Sequence, residues 1–408
     1  MIKKSVPTNR ILEGVRYEIR GELAARATEL ERKGYEITSL NIGNPGLFGY
    51  RTPETMRLAM IENLGQSEAY SHQKGIFPAR EAVVMQQQAR HVMDVTADDV
   101  FMGNGVSECI DLALRALLNS GDEILVPSPD YPLWSASVAL NHGRAVYYNC
   151  LPENDFQPDP EEIRGLITSR TRGIVLINPN NPTGAVYDRA LLEEIAGIAE
   201  HHQLVVFSDE IYDEMLYGDV EHIPMATLVH DTLCATFGGL SKVYRACGYR
   251  VGWIAFSGQR DNAASYLHAV ELLASLRLCA NVPGQWAVQT ALGGYQSITE
   301  LTTPGGRLHQ ARQAIIDGVE RSQYLSLVPP DGAMYAFPSV NTSLFKDFDD
   351  QKFALELLEK KHILIAPGSS FNVPYRNHFR LTTLPTARKM QTVFESMEEV
   401  LESMQITH

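Results

Sequence analysis

The chain has 408 residues, of which 44% are hydrophobic and 21% charged, and its formal net charge is −14 at pH 7. This length provides enough residues for two domains and a large apolar core. The negative charge disfavours nucleic acid and anionic membranes as partners, because both require a basic surface.

The five cysteines contain no pair with CxxC spacing, so we predict no metal site and a reducing environment. The basic N-terminus is not followed by an apolar segment. No apolar stretch approaches the roughly 20 residues that cross a bilayer. We therefore expect a cytoplasmic protein.

Short apolar segments alternate with helical patterns between residues 98 and 257. Helical periodicity predicts helices over 107–118 and 189–201. β-rich apolar segments predict six strands, over 123–126, 145–149, 173–178, 204–208, 233–237 and 251–256. This alternation indicates an α/β protein with a mostly parallel sheet covered by helices. In such a sheet, functional groups lie on loops at the carboxyl ends of the strands.

The C-terminal part has a different pattern, which predicts helices over 351–362 and 387–404 and short strands over 363–366 and 378–382. We therefore predict a large domain over 46–305. A smaller α+β domain is then built from 1–45 and 306–408, since chain termini often lie close together.

The segment Thr236-Phe-Gly-Gly-Leu-Ser-Lys242 follows a predicted strand, and Arg250 comes eight residues after the lysine. A lysine on a short loop can form an imine with an aldehyde cofactor. Ser241 and Arg250 carry a hydroxyl and a guanidinium suited to a phosphate dianion. A Ser-Lys pair alone is usually a surface feature, but the glycines and Arg250 together predict a cofactor lysine.

Three further loops carry candidate groups. Asn181, in Asn178-Pro-Asn-Asn-Pro-Thr-Gly184, is able to donate to a phenolic oxygen, although this composition is also typical of a simple turn. Asp209 ends an apolar strand, where it suits either a protonated pyridine nitrogen or a helix N-cap, and Tyr212 follows it. Ser107, in Gly103-Asn-Gly-Val-Ser107, opens a predicted helix, where backbone N–H groups bind phosphate.

These four segments, in this order, resemble the class I aminotransferases of pyridoxal-phosphate (PLP) fold type I over essentially the whole chain. The matching stretches are Asn181-Pro-Thr-Gly, Ser208-Asp-Glu-Ile-Tyr, Ser241-Lys and Gly248-x-Arg250-x-Gly252. Within that family the chain is most similar to bacterial alanine aminotransferases that use 2-oxoglutarate. That similarity lies in Tyr17-Glu-Ile-Arg-Gly21, Asn41-Ile-Gly-Asn-Pro45, Pro129-Asp-Tyr-Pro-Leu-Trp134 and Arg277-Leu-Cys-Ala-Asn-Val-Pro283.

The resemblance implies an aspartate-aminotransferase-like fold and PLP carried as a Schiff base on Lys242, which also moves the proton. It implies that Asp209 pairs with the pyridine nitrogen and that Tyr212 and Asn181 hold the phenolic oxygen. The remaining implied cofactor contacts are a stacking Tyr131 and the phosphate ligands Val106, Ser107, Ser241 and Arg250. Tyr70 matches a tyrosine that reaches the phosphate of the neighbouring subunit, which implies a homodimer.

For the substrate, the resemblance implies that Arg380 grips the α-carboxylate beside Gly43 and Asn181, and that the Asn181–Pro182 peptide is cis. Tyr17 and Arg20 are expected to fold over the site, where Arg20 pairs with the distal carboxylate of 2-oxoglutarate. A solvated helix face is an equal alternative for these two residues. Departures from the family pattern at Gly238, Gly239 and Trp286 bear on the substrate and leave the cofactor assignment intact.

The expected reaction moves an amino group between a small amino acid, L-alanine above others, and 2-oxoglutarate, giving pyruvate and L-glutamate. Aspartate, 2-aminobutyrate or valine as donor remains an alternative, as does a β-lyase or decarboxylase on the same scaffold. A non-catalytic PLP-binding regulator is disfavoured by the acidic charge and the lack of room for a DNA-binding domain. A nucleotide-binding protein is disfavoured because neither GxGxxG nor GxxxxGK[ST] follows a predicted strand.

Overall fold

The computed structural model describes residues 6–15, 21–345 and 347–406. None of the described helices combines the length and apolar character needed to cross a membrane. The α-helices in these ranges are α1 (Glu22–Arg32), α2 (Glu54–Glu62), α3 (Phe77–Ala89), α4 (Val106–Leu117), α5 (Leu133–Leu140), α6 (Pro160–Leu166), α7 (Arg189–His201), α8 (Ala264–Leu276), α9 (Val282–Gly293), α10 (Thr299–Thr302), α11 (Arg307–Arg321), α12 (Asp350–Lys361) and α13 (Ala387–Ile406).

The strands form one large sheet and several short pairings. In chain order they are β1 (Thr38–Ser39), β2 (Val100–Gly103), β3 (Glu123–Ser128), β4 (Arg144–Asn149), β5 (Thr171–Ile177), β6 (Val205–Asp209), β7 (Leu233–Gly239), β8 (Gly252–Gly258), β9 (Leu325–Ser326), β10 (Tyr335–Ala336), β11 (Ser339–Val340), β12 (Ile363–Leu364), β13 (Ala366–Pro367) and β14 (Phe379–Thr382).

The large sheet has seven strands in the order β2-β8-β7-β6-β5-β3-β4. Strand β8 is antiparallel to both of its neighbours, and the neighbouring pairs from β7 to β4 are parallel. The expectation of a mostly parallel sheet is therefore confirmed. Strand β2 was not predicted, because four residues are too few for a periodic pattern to stand out.

Helices cover both faces of this sheet, as its doubly apolar strands require. Successive residues of β5 alternate between the two faces: Val175 packs with α4 and α5, while Ile174 belongs to the core that includes α7. Helix α4 contributes Ile110 and Leu114 to the first of these cores, and this spacing places both side chains on one helix face.

A separate apolar core lies between α11, α12 and α13 and the short strands near them. Leu40 joins this core, and β1 pairs in parallel with β12, so the N-terminal segment packs with the C-terminal part. The predicted strand over 363–366 is divided into β12 and β13, which pair with different partners. These observations support the domain boundaries that we propose, 46–305 for one domain and 1–45 with 306–408 for the other.

The core of the C-terminal part gives a stability test on one helix. Phe353 of α12 is fully buried, whereas Leu355 of the same helix is 43% exposed. Phe353→Ala should lower the free energy of unfolding by about 3–5 kcal/mol, because it leaves a cavity that the core does not refill. Leu355→Ala should cost roughly 0.5 kcal/mol or less. Urea unfolding of both variants checks this, and equal losses would contradict it.

Candidate active site

A cavity of about 640 Å³ lies where β5, β6 and β7 end. It collects side chains far apart in sequence, because parallel strands bring their carboxyl ends to one edge of the sheet. The sequence-predicted residues among its lining are Gly43, Val106, Ser107, Tyr131, Asn181, Asp209, Tyr212, Ser241, Lys242, Arg250 and Arg380.

Lys242 reaches the cavity from the loop after β7. Its Nζ donates to the backbone carbonyl oxygen of Gly43 over 2.8 Å. A Cβ atom at position 43 would overlap the hydroxyl group of Tyr335, so a larger residue would have to displace that ring. Glycine at this position therefore lets a backbone carbonyl approach the lysine closely.

Asp209 is the last residue of β6 and is 3% exposed. A turn follows it rather than a helix, so the structure does not support the N-cap alternative. Its Oδ2 accepts a hydrogen bond of 3.0 Å from the indole Nε1 of Trp134. Burial raises the pKa of this carboxyl to about 6, and the indole N–H acts in the opposite direction. The main hydrogen-bond partner of this buried carboxyl group is therefore the neutral indole of Trp134.

Arg380, on β14, is 2% exposed and lies between two aromatic rings. Its guanidinium carbon is 4.4 Å from the ring centroid of Tyr335 and 4.7 Å from that of Phe371. Nη1 donates to Oδ1 of Asn181 over 2.8 Å, and Nη2 donates to the backbone oxygen of Asn41. Nε has no hydrogen-bond partner within the described ranges. The arginine is therefore fixed in direction by its neighbours.

Asn181 is oriented by this contact. Because its Oδ1 accepts from Arg380, its amide nitrogen keeps two protons for other acceptors. The Asn181–Pro182 peptide is cis, as the resemblance implied, and the Ser128–Pro129 and Asn178–Pro179 peptides are cis as well.

The start of α4 and Arg250 lie together at one side of the cavity. Gly105 caps the helix with a φ of 82°, and no side chain caps the helix start, where backbone N–H groups suit an anion. Arg250 donates to the backbone oxygens of Cys247 and Asn104 over 2.8 and 3.3 Å. A Cβ atom at Gly105 would overlap the Arg250 guanidinium, so glycine is needed for this approach.

Tyr335 is a cavity residue that sequence reasoning missed. Its hydroxyl accepts a hydrogen bond of 3.1 Å from the hydroxyl of Tyr212. Burial raises the pKa of Tyr212 well above its usual range, with Tyr335 as the next cause, so Tyr212 remains a neutral phenol. No local pattern marks Tyr335, because only the packing of β10 against β14 brings it here.

Of the predicted residues that the structure describes, Tyr70 does not line this cavity. Tyr70 is 78% exposed on the surface of its own chain, and Tyr17 and Arg20 lie outside the described residues. Two of the departures from the family pattern have packing explanations. A Cβ atom at Gly238 would lie 2.6 Å from the indole nitrogen of Trp253, and Trp286 donates to the Ser67 hydroxyl over 3.1 Å.

Comparison with known proteins agrees with this geometry. The family model for aminotransferases of class I and II matches residues 35–397. The chain belongs to this aminotransferase family. It is 50% identical over 374 residues to the glutamate-pyruvate aminotransferase AlaA of Escherichia coli K12. The aligned residues cover 92% of each chain.

Solved structures of other aminotransferases have the same fold. An aminotransferase from Escherichia coli superposes with a TM-score of 0.96 at 47% identity, covering 98% of this chain and 99% of that one. An alanine aminotransferase from Pyrococcus furiosus superposes with a TM-score of 0.92 at 36% identity, covering 97% and 100%. This aminotransferase therefore has PLP fold type I, as expected. The family is PLP-dependent and acts on amino acids and 2-oxo acids.

His378, two residues before Arg380, gives a pH test of this part of the fold. It is 5% exposed and stacks on Phe337 with ring centroids 5.0 Å apart. Burial lowers the pKa of its imidazole to about 4, whereas an unfolded histidine titrates near 6.5. Between these values the unfolded chain binds one proton more than the folded chain. Stability should therefore fall as the pH drops from about 6.5 to 4.

His378→Gln should make the free energy of unfolding less dependent on pH, by the contribution of one bound proton. Urea midpoints across the pH range measure this change. The matched control is His230→Gln, since His230 is exposed and should leave the slope unchanged. Identical slopes in the wild type and His378→Gln would contradict the assignment.

Proposed function

We propose that this aminotransferase moves an amino group between L-alanine and 2-oxoglutarate, giving pyruvate and L-glutamate, with PLP bound in the cavity around Lys242. The 50% identity to a glutamate-pyruvate aminotransferase over 92% of both chains carries the substrate assignment. The structural likeness to an alanine aminotransferase supports it. The same cavity then accepts substrates that differ in the size and charge of their side chains.

The residues present fit PLP. The buried Asp209 carboxylate has a neutral indole donor, so it suits the protonated nitrogen of a pyridine ring. The glycine-capped start of α4, with Ser107, Ser241 and Arg250 nearby, suits a phosphate dianion. When bound, PLP supplies an aldehyde that combines with amines and a ring that stabilises negative charge on the adjacent carbon.

The other roles are proposed for polar side chains that line the cavity. The Asn181 amide donates to the phenolic oxygen of the cofactor, and the Tyr212 hydroxyl, which donates to the Tyr335 hydroxyl in this structure, turns to the same oxygen when the cofactor binds. Tyr131 covers the ring. Arg380 binds the substrate α-carboxylate, since it lines the cavity and its guanidinium has a neutral amide and a backbone carbonyl as hydrogen-bond partners. Oriented donors of this kind bind a carboxylate strongly in a cavity of low dielectric.

Lys242 moves the proton. Its Nζ takes a proton from the substrate Cα and then delivers a proton to the carbon of the cofactor's aldehyde group. The amine therefore acts first as a base and then as an acid. Its hydrogen bond to the carbonyl of Gly43 holds the amine close to the residue that is expected to lie beside the substrate α-carboxylate. Position therefore contributes to its role as much as basicity does.

We further propose a homodimer in the cytoplasm. Tyr70 is exposed together with other large apolar side chains of its region, and it reaches the phosphate of the neighbouring subunit in this arrangement. These exposed neighbours are Ile61, Leu64, Phe77 and Leu276. The five unpaired cysteines support a reducing compartment.

The direct test is an absorbance scan of the PLP-loaded enzyme while amino acids are added one at a time. L-Alanine and L-glutamate should each remove the visible absorption of the bound aldehyde form. Lys242→Ala should abolish this change, because no base is left at the Cα proton. Full activity in that variant would contradict the proposed role. A response to aspartate, 2-aminobutyrate or valine without a response to alanine would replace the proposed donor.

The same assay separates transamination from a lyase or decarboxylase. Release of oxo acid should require a 2-oxo acid acceptor for continued turnover. Sustained turnover without an acceptor would favour a lyase on this scaffold.

Arg20 is proposed to pair with the distal carboxylate of 2-oxoglutarate. Arg20→Ala should raise the KM for 2-oxoglutarate far more than the KM for pyruvate, because only the former has a second carboxylate. Steady-state kinetics with both oxo acids measure this. Equal effects on both would remove Arg20 from substrate recognition.

A further inference from the structure

Trp134 lies directly beneath the cavity without lining it. The side chain is fully buried, and its ring packs against Phe207 and Phe237, with centroid distances of 5.8 and 5.2 Å. These phenylalanines belong to β6 and β7, so the sheet itself fixes the position of the indole. From there Nε1 donates to Oδ2 of Asp209 over 3.0 Å.

The two carboxylate oxygens of Asp209 have unequal partners. Oδ2 accepts the indole N–H, whereas Oδ1 accepts only a long contact of 3.4 Å from the backbone N–H of Ile211. Oδ1 is thus the oxygen with capacity left for a cation in the cavity. The nearest charges that affect this carboxyl are Lys242 and Glu210, which act in opposite directions.

The loop that carries Trp134 is itself held at a defined place. The backbone N–H of Asp130 donates to the carbonyl of Phe371, and Oδ1 of Asp130 accepts from the amide of Asn372 over 2.9 Å. Tyr131 follows immediately, and α5 begins at Leu133. One anchored segment therefore provides both the ring-covering tyrosine and the donor to Asp209.

We propose that Trp134 is the positioning residue of Asp209: its indole N–H binds Oδ2 and so presents Oδ1 to the pyridine nitrogen of the cofactor. The inference rests on the proposed binding of PLP. An indole neither gains nor loses a proton in the pH range of the enzyme, so the donor is always present. A hydrogen bond to an ionised acceptor is strong in a buried site.

The test separates the N–H donor from the packing of the ring. Trp134→Phe keeps an aromatic ring but has no donor. Trp134→His has a smaller ring, but its Nε2 is as many bonds from the backbone as the indole nitrogen. The matched control is Trp286→Phe, since Trp286 is half-buried and donates to Ser67 outside the cavity lining. The PLP dissociation constant is measured by titrating the full-length apo-enzyme, together with the melting temperature of each variant.

Trp134→Phe should weaken PLP binding about tenfold or more, because a buried charge-assisted hydrogen bond is lost. Trp134→His should recover most of this loss, although its melting temperature should be no higher than that of Trp134→Phe. Trp286→Phe should stay within about twofold of the wild type, as expected for a substitution outside the site. PLP binding that is equally tight in Trp134→Phe and the wild type, or tighter in Trp134→Phe than in Trp134→His, would overturn the proposal.

A second measurement uses the apo-enzyme alone. The chain has three tryptophans, and the Trp134 indole N–H signal in a ¹⁵N spectrum is assigned by its absence from Trp134→Phe. It should move as the pH passes through about 6, where Asp209 titrates, and the Trp253 and Trp286 signals should move less. A stationary Trp134 signal would overturn the proposal. Failure of the wild type to bind PLP would instead overturn the proposed function, since the apo-enzyme signal does not depend on the cofactor.

Discussion

The hydrogen bond between Arg380 and Asn181 joins the C-terminal part of the chain to the large sheet across the cavity. Arg380 is on β14, which packs in the C-terminal core, while Asn181 follows β5 of the large sheet. The bond fixes the direction of the buried guanidinium and leaves the amide protons of Asn181 facing elsewhere. The Asn41 carbonyl and the rings of Tyr335 and Phe371 hold the guanidinium as well, so the contact with Asn181 links two side chains that the fold has already placed.

Buried charged side chains at the two ends of the large sheet have different kinds of partner. Glu123, at the end away from the cavity, is fully buried and bonds to Arg144, Arg170 and Thr168. Its charge is compensated within the chain, as buried ions normally require. Asp209 has instead a neutral indole donor as its main partner, and Arg380 has a neutral amide. Charge that the chain leaves uncompensated at this edge is available for ionic groups of a cofactor and a substrate.

Local patterns were sufficient to predict six of the seven strands of the large sheet and the loops that carry Ser107, Asn181, Asp209 and Lys242 into the cavity, whereas Arg380 came from the family resemblance alone. Apolar strands followed by polar loops identify the positions of Asn181, Asp209 and Lys242, because a parallel sheet gathers its carboxyl ends. Tyr335 and the role of Trp134 could not be predicted in this way. Each depends on a contact between segments that are distant in sequence, and neither residue type is unusual where it stands.

The departures from the family pattern also depend on contacts between segments that are distant in sequence. Gly238 was expected to bear on the substrate, yet the space above it is filled by the indole of Trp253 on the neighbouring strand. Exchanges of this kind preserve packing beneath the cavity without changing its lining. Ile42 and Tyr335, by contrast, line the cavity itself. Tyr335 contacts Arg380 through its ring and Tyr212 through its hydroxyl, so one residue that no local pattern marks connects two residues that the sequence did identify.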